Sequence, residues 1–438
     1  MEETMEREGK QVLDRLIRAG HEAYFVGGCV RDKLLGRPLK DIDIATAALP
    51  EQVMRLFAKT APTGLQHGTV TVIMDTYTFE VTTFRKESEY EQYRKPKSVE
   101  FISDLNEDLR RRDFTINAMA LAADGSTIDP FGGAEDLRSK LIRAVGDPHE
   151  RFREDALRML RGIRFACEYG FELEPATWDA LIRHAPLLAH VAMERVSAEL
   201  DKMIEGRAPD RAVDLLHRSG LPRHFKQPID WPLSAREPLP APIARGKLER
   251  VSGAELRWAA LFAGLGMDAD AAQTAMKRLK CSGKKTESVA KLLRVDAWMR
   301  GKVAAFGGGI GAPAETARPR PLPDETGYEW TALGCVQFGK AAVRDWLSFA
   351  AWRAEAMDER GWPPFVRRAA DWLERVPVER VTDLNVSGGD VAAELNGKPG
   401  PWLGDLLRDL LVDVALGKVP NERTSLLERA KITAKRED

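Results

Sequence analysis

The spacing of apolar residues divides the chain into a mixed front part and a long helical remainder. At residues 67–73 (HGTVTVI) and 77–84 (YTFEVTTF), β-branched and aromatic residues alternate with polar ones. That two-residue period predicts half-buried strands, joined across Met74-Asp75. Residues 99–102 (VEFI) read as a further strand, and Tyr24-Phe25-Val26 as a short apolar segment. The opening run MEETMEREGKQVLDRL is charged and amphipathic and predicts the first helix. Residues 116–124 (INAMALAAD) read as a helix following Asp113. From residue 141 onward the period turns to three and four, at residues 155–170, 176–191 and 197–206. No strand is predicted beyond residue 150. Helical patterns resume at 330–339 and 344–357, and residues 381–430 read as short helices punctuated by glycine. Two Pro- or Gly-rich stretches, 227–246 and 307–325, read as linkers or insertions. The polar, mixed-charge segment from Lys86 to Ser98 reads as a mobile loop.

Composition narrows this picture. A chain of 438 residues suits roughly two to four domains. Its 66 Lys and Arg nearly balance 67 Asp and Glu, so any nucleic-acid site must be a local patch. Residues 138–164 hold eight Lys or Arg against four Asp or Glu and are one such patch. The four cysteines (Cys29, Cys167, Cys281, Cys335) lie far apart without a CxxC pair. A zinc or disulfide framework is therefore not expected, and a reducing, cytoplasmic setting is. The first residues lack an apolar signal core and no run is long enough to span a bilayer, so no membrane partner is expected. Nothing in the sequence implies a protein partner.

The chemistry concentrates at residues 26–43, VGGCVRDKLLGRPLKDID. Gly27 and Gly28 stand between an apolar segment and a helix-like segment carrying Arg31 and Asp32, where backbone N–H groups can cradle a phosphate. In the apolar segment that follows, Asp41 and Asp43 share one strand face while Ile42 and Ile44 take the other. Two adjacent carboxylates repel unless a cation lies between them, and oxygen-only ligands with a phosphate nearby suit Mg²⁺. A phosphate cradle followed by a metal-binding pair points to nucleotidyl transfer. A third carboxylate is expected, and Glu80, flanked by Phe79 and Val81, is favoured over Asp75, which falls in a turn.

This stretch resembles the first motif of the polymerase-β-like nucleotidyltransferases, in the bacterial class II tRNA CCA-adding enzyme and poly(A) polymerase family. The likeness is dense over residues 24–205, thins through 206–375 and returns at 381–430. It implies an α+β fold, a small mixed-sheet head followed by an all-helical neck, body and tail. The boundaries expected are 1–140 for the head, 141–205 for the neck, 206–325 for the body with its insertions, and 326–438 for the tail. It also implies catalytic roles for Asp41, Asp43 and Glu80, with Asp41 and Asp43 holding metal. The segment RRDFTINAMA at 111–120 matches the part that meets ribose and triphosphate, so Arg112 and Asp113 join Gly27, Gly28 and Arg31 as nucleotide-binding candidates. Arginine suits phosphate because its fork binds oxygens bidentately. Asn117 is a further candidate one turn on.

The stretch FREDALRMLRGIRF places Glu154, Asp155, Arg158, Arg161 and Arg164 on one predicted helix and matches the family's base-selecting EDxxR motif. Taken alone, these charges would be an ordinary helix salt bridge. Within the resemblance, Glu154, Asp155 and Arg158 select the base, and Arg161 and Arg164 join the nucleotide-binding set. Cytosine and adenine present an amino group where uracil and guanine present a carbonyl, so a carboxylate can accept the first two and repel the others. The segment around His67 also matches the family, with no metal role assigned. In the tail, Lys398 and the segment starting at Gly400 are candidate RNA contacts. The reaction implied is template-independent addition of CCA to tRNA from CTP and ATP. Poly(A) polymerase, A-adding or CC-adding enzymes and an inactive RNA-binding protein are the alternatives. The presence of residues 86–98 disfavours CC addition alone.

Overall fold

The structure, a computed structural model, describes residues 2–91, 95–229, 238–306, 323–357, 362–397 and 400–434. It contains two compact units, Met1–Glu237 and Pro238–Asp438, and their boundary falls within the first Pro-rich stretch.

The first unit opens with α1 (Glu2–Arg18), as its amphipathic pattern predicts. There follow β1 (Ala23–Val26), α2 (Gly28–Leu34), β2 (Asp43–Thr46) and α3 (Pro50–Leu56). Next come β3 (Thr60–Gly64), β4 (Thr69–Ile73) and β5 (Thr78–Thr83), the last two being the predicted alternating strands. After them lie β6 (Arg85–Glu91), β7 (Lys95–Phe101), α4 (Leu105–Arg110), β8 (Ala120–Leu121) and β9 (Thr127–Ile128). Seven strands form one sheet in the order β3-β4-β5-β2-β1-β8-β9. Only β2 and β5 run parallel, which makes the sheet mixed.

The alternation along β2 and β5 decides which face is buried. On one face, α1 packs through Gly9: a Cβ there would lie 3.1 Å from Phe79 and 3.3 Å from Ile42, so only hydrogen admits the helix so closely. On the other face Val26, Ala45, Phe84, Leu105, Leu109 and Ala120 form a buried cluster that seats α4. Asp43 lies on this second face, at the opposite end of β2 from Thr46.

Continuing along the unit, α5 (Gly133–Ser139), β10 (Leu141–Ile142), α6 (Pro148–Glu154), α7 (Leu157–Tyr169), β11 (Glu172–Leu173), α8 (Pro175–His184), α9 (Met193–Ile204) and α10 (Pro209–Ser219) follow. Among its described residues the second unit has helices and no strand. It contains α11 (Ala241–Arg245), α12 (Ala254–Gly264), α13 (Ala269–Arg278), α14 (Gly283–Ala305) and α15 (Asp324–Phe338). The remainder is α16 (Lys340–Ala356), α17 (Trp362–Arg375), α18 (Gly388–Glu394), α19 (Pro401–Ala415) and α20 (Arg423–Ala434). Its core includes Trp258, Phe262, Trp346, Phe349 and Phe365, all buried.

Four expectations are corrected. Residues 116–124 are not a helix: a short 3-10 turn at Thr115–Asn117 leads into β8, which pairs with β1. Residues 86–91 and 95–98, expected to lie in a loop, are strand, since β6 and β7 pair as an antiparallel hairpin. A strand does occur beyond residue 150, because β11 pairs in parallel with β10 over two residues. The EDxxR stretch is not one helix: α6 ends at Glu154, and Asp155 is extended (φ −140°) before α7 begins.

One glycine fixes the turn that carries Asn117. A Cβ on Gly133 would lie 2.3 Å from the Thr115 carbonyl oxygen, a backbone atom that cannot step aside alone. Gly133→Ala is expected to destabilise the first unit by about 1–3 kcal/mol through overpacking. A denaturant midpoint unchanged from wild type would contradict this.

Candidate active site

Asp43 stands near two further carboxylates, Asp41 and Glu80, where β2 and β5 run side by side. Asp43 opens β2, with Glu80 of β5 as its direct partner in parallel register. Asp41 lies two residues before Asp43, outside the strand and exposed. Ile42 and Ile44 are buried, as the alternation requires. Burial, then the charges of Asp41 and Glu80, push the Asp43 carboxyl up to about 6, with Arg112 opposing.

The donor set fits a hard divalent cation. It consists of carboxylate oxygens whose mutual repulsion a cation would relieve. Among the described residues, no group of three or more His, Cys, Asp or Glu is placed so that it could hold a metal ion by itself. A cation here would take few protein oxygens and complete its shell with phosphate and water.

Gly27 holds the approach to this cluster. Its φ is +74°, a region that favours glycine, and a Cβ would meet the Arg112 guanidinium at 2.9 Å and the Asp43 carboxylate at 3.9 Å. Arg112 is loosely held, with contacts of 3.4 Å to Asp108 and to the Asn117 carbonyl. Its Nε is buried with no hydrogen-bond partner among the described residues. A buried donor left unpaired is expensive unless a ligand satisfies it. Asp108, almost fully buried, anchors this arginine and also Arg111 at 2.9 Å. Burial would raise the Asp108 carboxyl, but Arg111 and Arg112 outweigh it and hold it below its ordinary value.

A chain of polar contacts runs from this loop to α7. Arg31 donates to Asn117 and, at 3.0 Å, to Asp32, and it stacks over Tyr169 at 4.6 Å. Asn117 donates to Asp113 at 3.1 Å, and Arg161 of α7 reaches Asp113 at 2.7 Å. Burial alone would raise the Asp113 carboxyl, but Arg161 and the bond from Asn117 hold it well below the carboxylate range. Asp113 therefore links the turn to α7; the helix expected to follow it is absent. Arg164 points into a different contact, pairing with Glu199 at 2.6 Å and Glu168 at 3.0 Å.

The EDxxR residues flank the break between α6 and α7. Asp155 caps α7 by accepting from the Leu157 N–H at 3.1 Å. Its carboxylate is gripped by Arg195 of α9, at 3.2 Å through one guanidinium nitrogen and 2.6 Å through the other. Arg158 donates to Glu154 at 2.5 Å and to the carbonyls of Arg151 and Arg111 at 3.2 and 2.7 Å. Sequence reasoning missed Arg195 and Asp108. Arg195 stands forty residues from its partner, where no local spacing rule reaches. Asp108 looks like a helix-surface acid, and only its position beside the RRD segment hints at more. Lys398, the expected RNA contact, lies outside the described residues.

Comparison with known proteins fits this geometry. The family model "Poly A polymerase head domain" matches residues 23–143, and the model for a tRNA nucleotidyltransferase domain 2 matches residues 323–430. A CCA-adding enzyme of Bacillus velezensis is 36% identical over 95% of this chain and 96% of its own. One from Geobacillus stearothermophilus is 37% identical over 95% and 94%. The crystal structure of the Bacillus stearothermophilus CCA-adding enzyme in complex with CTP superposes with a TM-score of 0.79 at 34% identity, covering 98% of both chains. Likeness of this degree, carried over nearly the full length of both partners and through both units of the fold, means that the chain belongs to the CCA-adding enzyme family.

Proposed function

We propose that the protein adds CCA to the 3′ end of tRNA, without a nucleic-acid template, from CTP and ATP. The observation that carries this reading is the nearness of Asp41 and Glu80 to Asp43 at the β2–β5 seam, beside the loosely held Arg112. In the reaction, the primer 3′-oxygen bonds to the α-phosphorus of the nucleotide, and the bond to the bridging oxygen breaks to release pyrophosphate. Enzymes of this family generally use divalent metal ions, and Mg²⁺ is the ion proposed here. Asp41 and Asp43, with Glu80 in support, would hold two Mg²⁺ ions, one to lower the pKa of the 3′-hydroxyl and the other to steady the leaving pyrophosphate.

The remaining roles belong to the chain. Arg112, with the Gly27–Gly28 backbone, receives the triphosphate, and Asp113, Asn117 and Arg31 brace the ribose side of that pocket. Asp155 and Arg158 read the base, with Glu154 holding Arg158. Arg161 acts through Asp113, and Arg164 through Glu199, so both are positioning residues in this reading. The division into head, neck, body and tail, with a tail contact at Lys398, is retained as part of the proposal. No helix among the described residues is long and apolar enough to cross a membrane. The cytoplasm, where CTP, ATP and immature tRNA meet, is the proposed setting.

The test uses a tRNA transcript lacking all three terminal nucleotides, with CTP and ATP supplied together. The expected product is longer by C, C and A. Products ending at CC, or extension only when CC is already present, would restrict the activity to one of the partial reactions. Long adenylate tails would favour a poly(A) polymerase.

A further inference from the structure

The chain as a whole is nearly neutral, yet residues 277–302 carry nine Lys or Arg and only two acids. These residues span the end of α13, a four-residue turn and most of α14. The two acids do little to offset the excess. Asp296 is buried and taken up by Arg353 at 3.3 Å and Trp346 at 3.2 Å. Glu287 pairs with Arg294 at 2.9 Å.

Three of the six basic residues on this stretch of α14 are aligned. At 3.6 residues per turn, Lys284, Lys291, Trp298 and Lys302 fall within about 40° of one another around α14. At 1.5 Å per residue, the row is about 27 Å long. Lys284 is exposed, and neither it nor Lys291 has an acidic partner among the described residues. Lys302 lies over the half-buried Trp298 ring at 5.2 Å, and that ring packs on Phe338 of α15 at 6.0 Å between centroids, so Trp298 anchors the row to the core. A basic row of this length on an otherwise near-neutral chain suits a surface that tracks a nucleic-acid backbone.

The turn supplies a second, independent observation. Lys280 has φ +60° at the position that ends α13, where its N–H donates to the Lys277 carbonyl at 3.0 Å. The Cys281 N–H closes the motif on the Met276 carbonyl at 3.1 Å. Glycine is the ordinary residue there, and Gly170 and Gly220 end α7 and α10 in this way. A Cβ is strained in this conformation. Among the described residues only Lys140 and Asn396 share it with Lys280 outside glycine. At Lys280 a strained position holds an exposed cation beside the basic row.

We propose that the α13–α14 hairpin binds the sugar–phosphate backbone of the tRNA, with Lys280, Lys284 and Lys291 as its principal contacts. The inference rests on the tRNA reading given above and extends it to a surface in the second unit. Each contact displaces condensed counterions, so binding through this row depends steeply on salt.

The experiment measures tRNA binding by the full-length protein across a salt series. In the double variant Lys284→Glu/Lys291→Glu, affinity at 0.1 M salt is expected to fall about tenfold or more, with the slope of log K against log salt shallower by about 1.5. The KM for tRNA rises while kcat at saturating tRNA holds. Should the reversed pair unfold, Lys284→Gln/Lys291→Gln carries the same reading with the same change of slope. Lys280→Gly separates binding from folding, because relief of strain holds or raises the thermal midpoint while tRNA affinity falls about threefold. Unchanged affinity and slope in the double variants would overturn the proposal while leaving tRNA as substrate. A wild-type protein that failed to bind tRNA at all would overturn the tRNA reading as well.

Discussion

Asp43→Asn is expected to lower nucleotide incorporation on the order of 10³-fold, the rate equivalent of several kcal/mol of lost metal-assisted stabilisation. The substitution keeps the shape of the side chain and removes its charge. Asp43 is the carboxylate most enclosed by the other two, preceded by Asp41 and in register with Glu80. Losing it removes a proposed metal ligand and touches none of the residues proposed to bind tRNA. Affinity for tRNA should therefore be unchanged. The thermal midpoint in metal-free buffer should hold or rise, because one of three mutually repelling carboxylates is gone. A merely structural role would move these readouts the other way, with activity lost in proportion to stability. Near-normal turnover with Mg²⁺ would sink the assignment. Asp41→Asn should behave in the same direction.

The seam proposed as catalytic was legible in the sequence because two simple rules meet there. Alternation put Asp41 and Asp43 on one side of Ile42 and Ile44, and the same alternation set Glu80 between Phe79 and Val81. What alternation could not supply was register. That Glu80 stands beside Asp43 follows from the parallel pairing of β2 and β5, which joins segments separated by two intervening strands. The errors have equally specific causes. Residues 116–124 are short-chained and apolar enough to suit a helix, but β8 has only two residues and owes its strand form to pairing with β1. The segment Lys86 to Ser98 is mostly polar, so β6 and the first part of β7 offer no alternation to detect, and only the end of β7 at residues 99–101 does. The EDxxR stretch has a continuous helical period, and the break at Asp155 comes from its own side chain capping the next helix.

That break is what frames the last prediction. Because Asp155 is extended, its carboxylate is held from α9 by Arg195 instead of lying along a helix surface. A carboxylate offers about four acceptor positions. Leu157 N–H and one Arg195 nitrogen occupy Oδ1, while the other Arg195 nitrogen occupies Oδ2. One position on Oδ2 remains for the amino group of cytosine or adenine, in a carboxylate that cannot rotate without breaking its bonds to Arg195. Asp155→Asn replaces one oxygen by an NH₂ group, which donates where the carboxylate only accepted. Uracil and guanine then find a donor for their carbonyls. Discrimination of CTP over UTP, taken as the ratio of kcat/KM values on a transcript ending before the first C, is expected to fall by about 10- to 100-fold, the equivalent of one lost hydrogen-bond preference. Arg158→Ala should lower the rate with every nucleotide as well as the selectivity, since Glu154 and the Arg151 and Arg111 carbonyls lose their donor together. Arg195→Ala leaves the chemistry of the acceptor intact but frees its orientation, so it should weaken discrimination less than Asp155→Asn does. If Asp155→Asn and Arg158→Ala both kept full activity and still excluded UTP and GTP, the base would have to be read elsewhere on the protein.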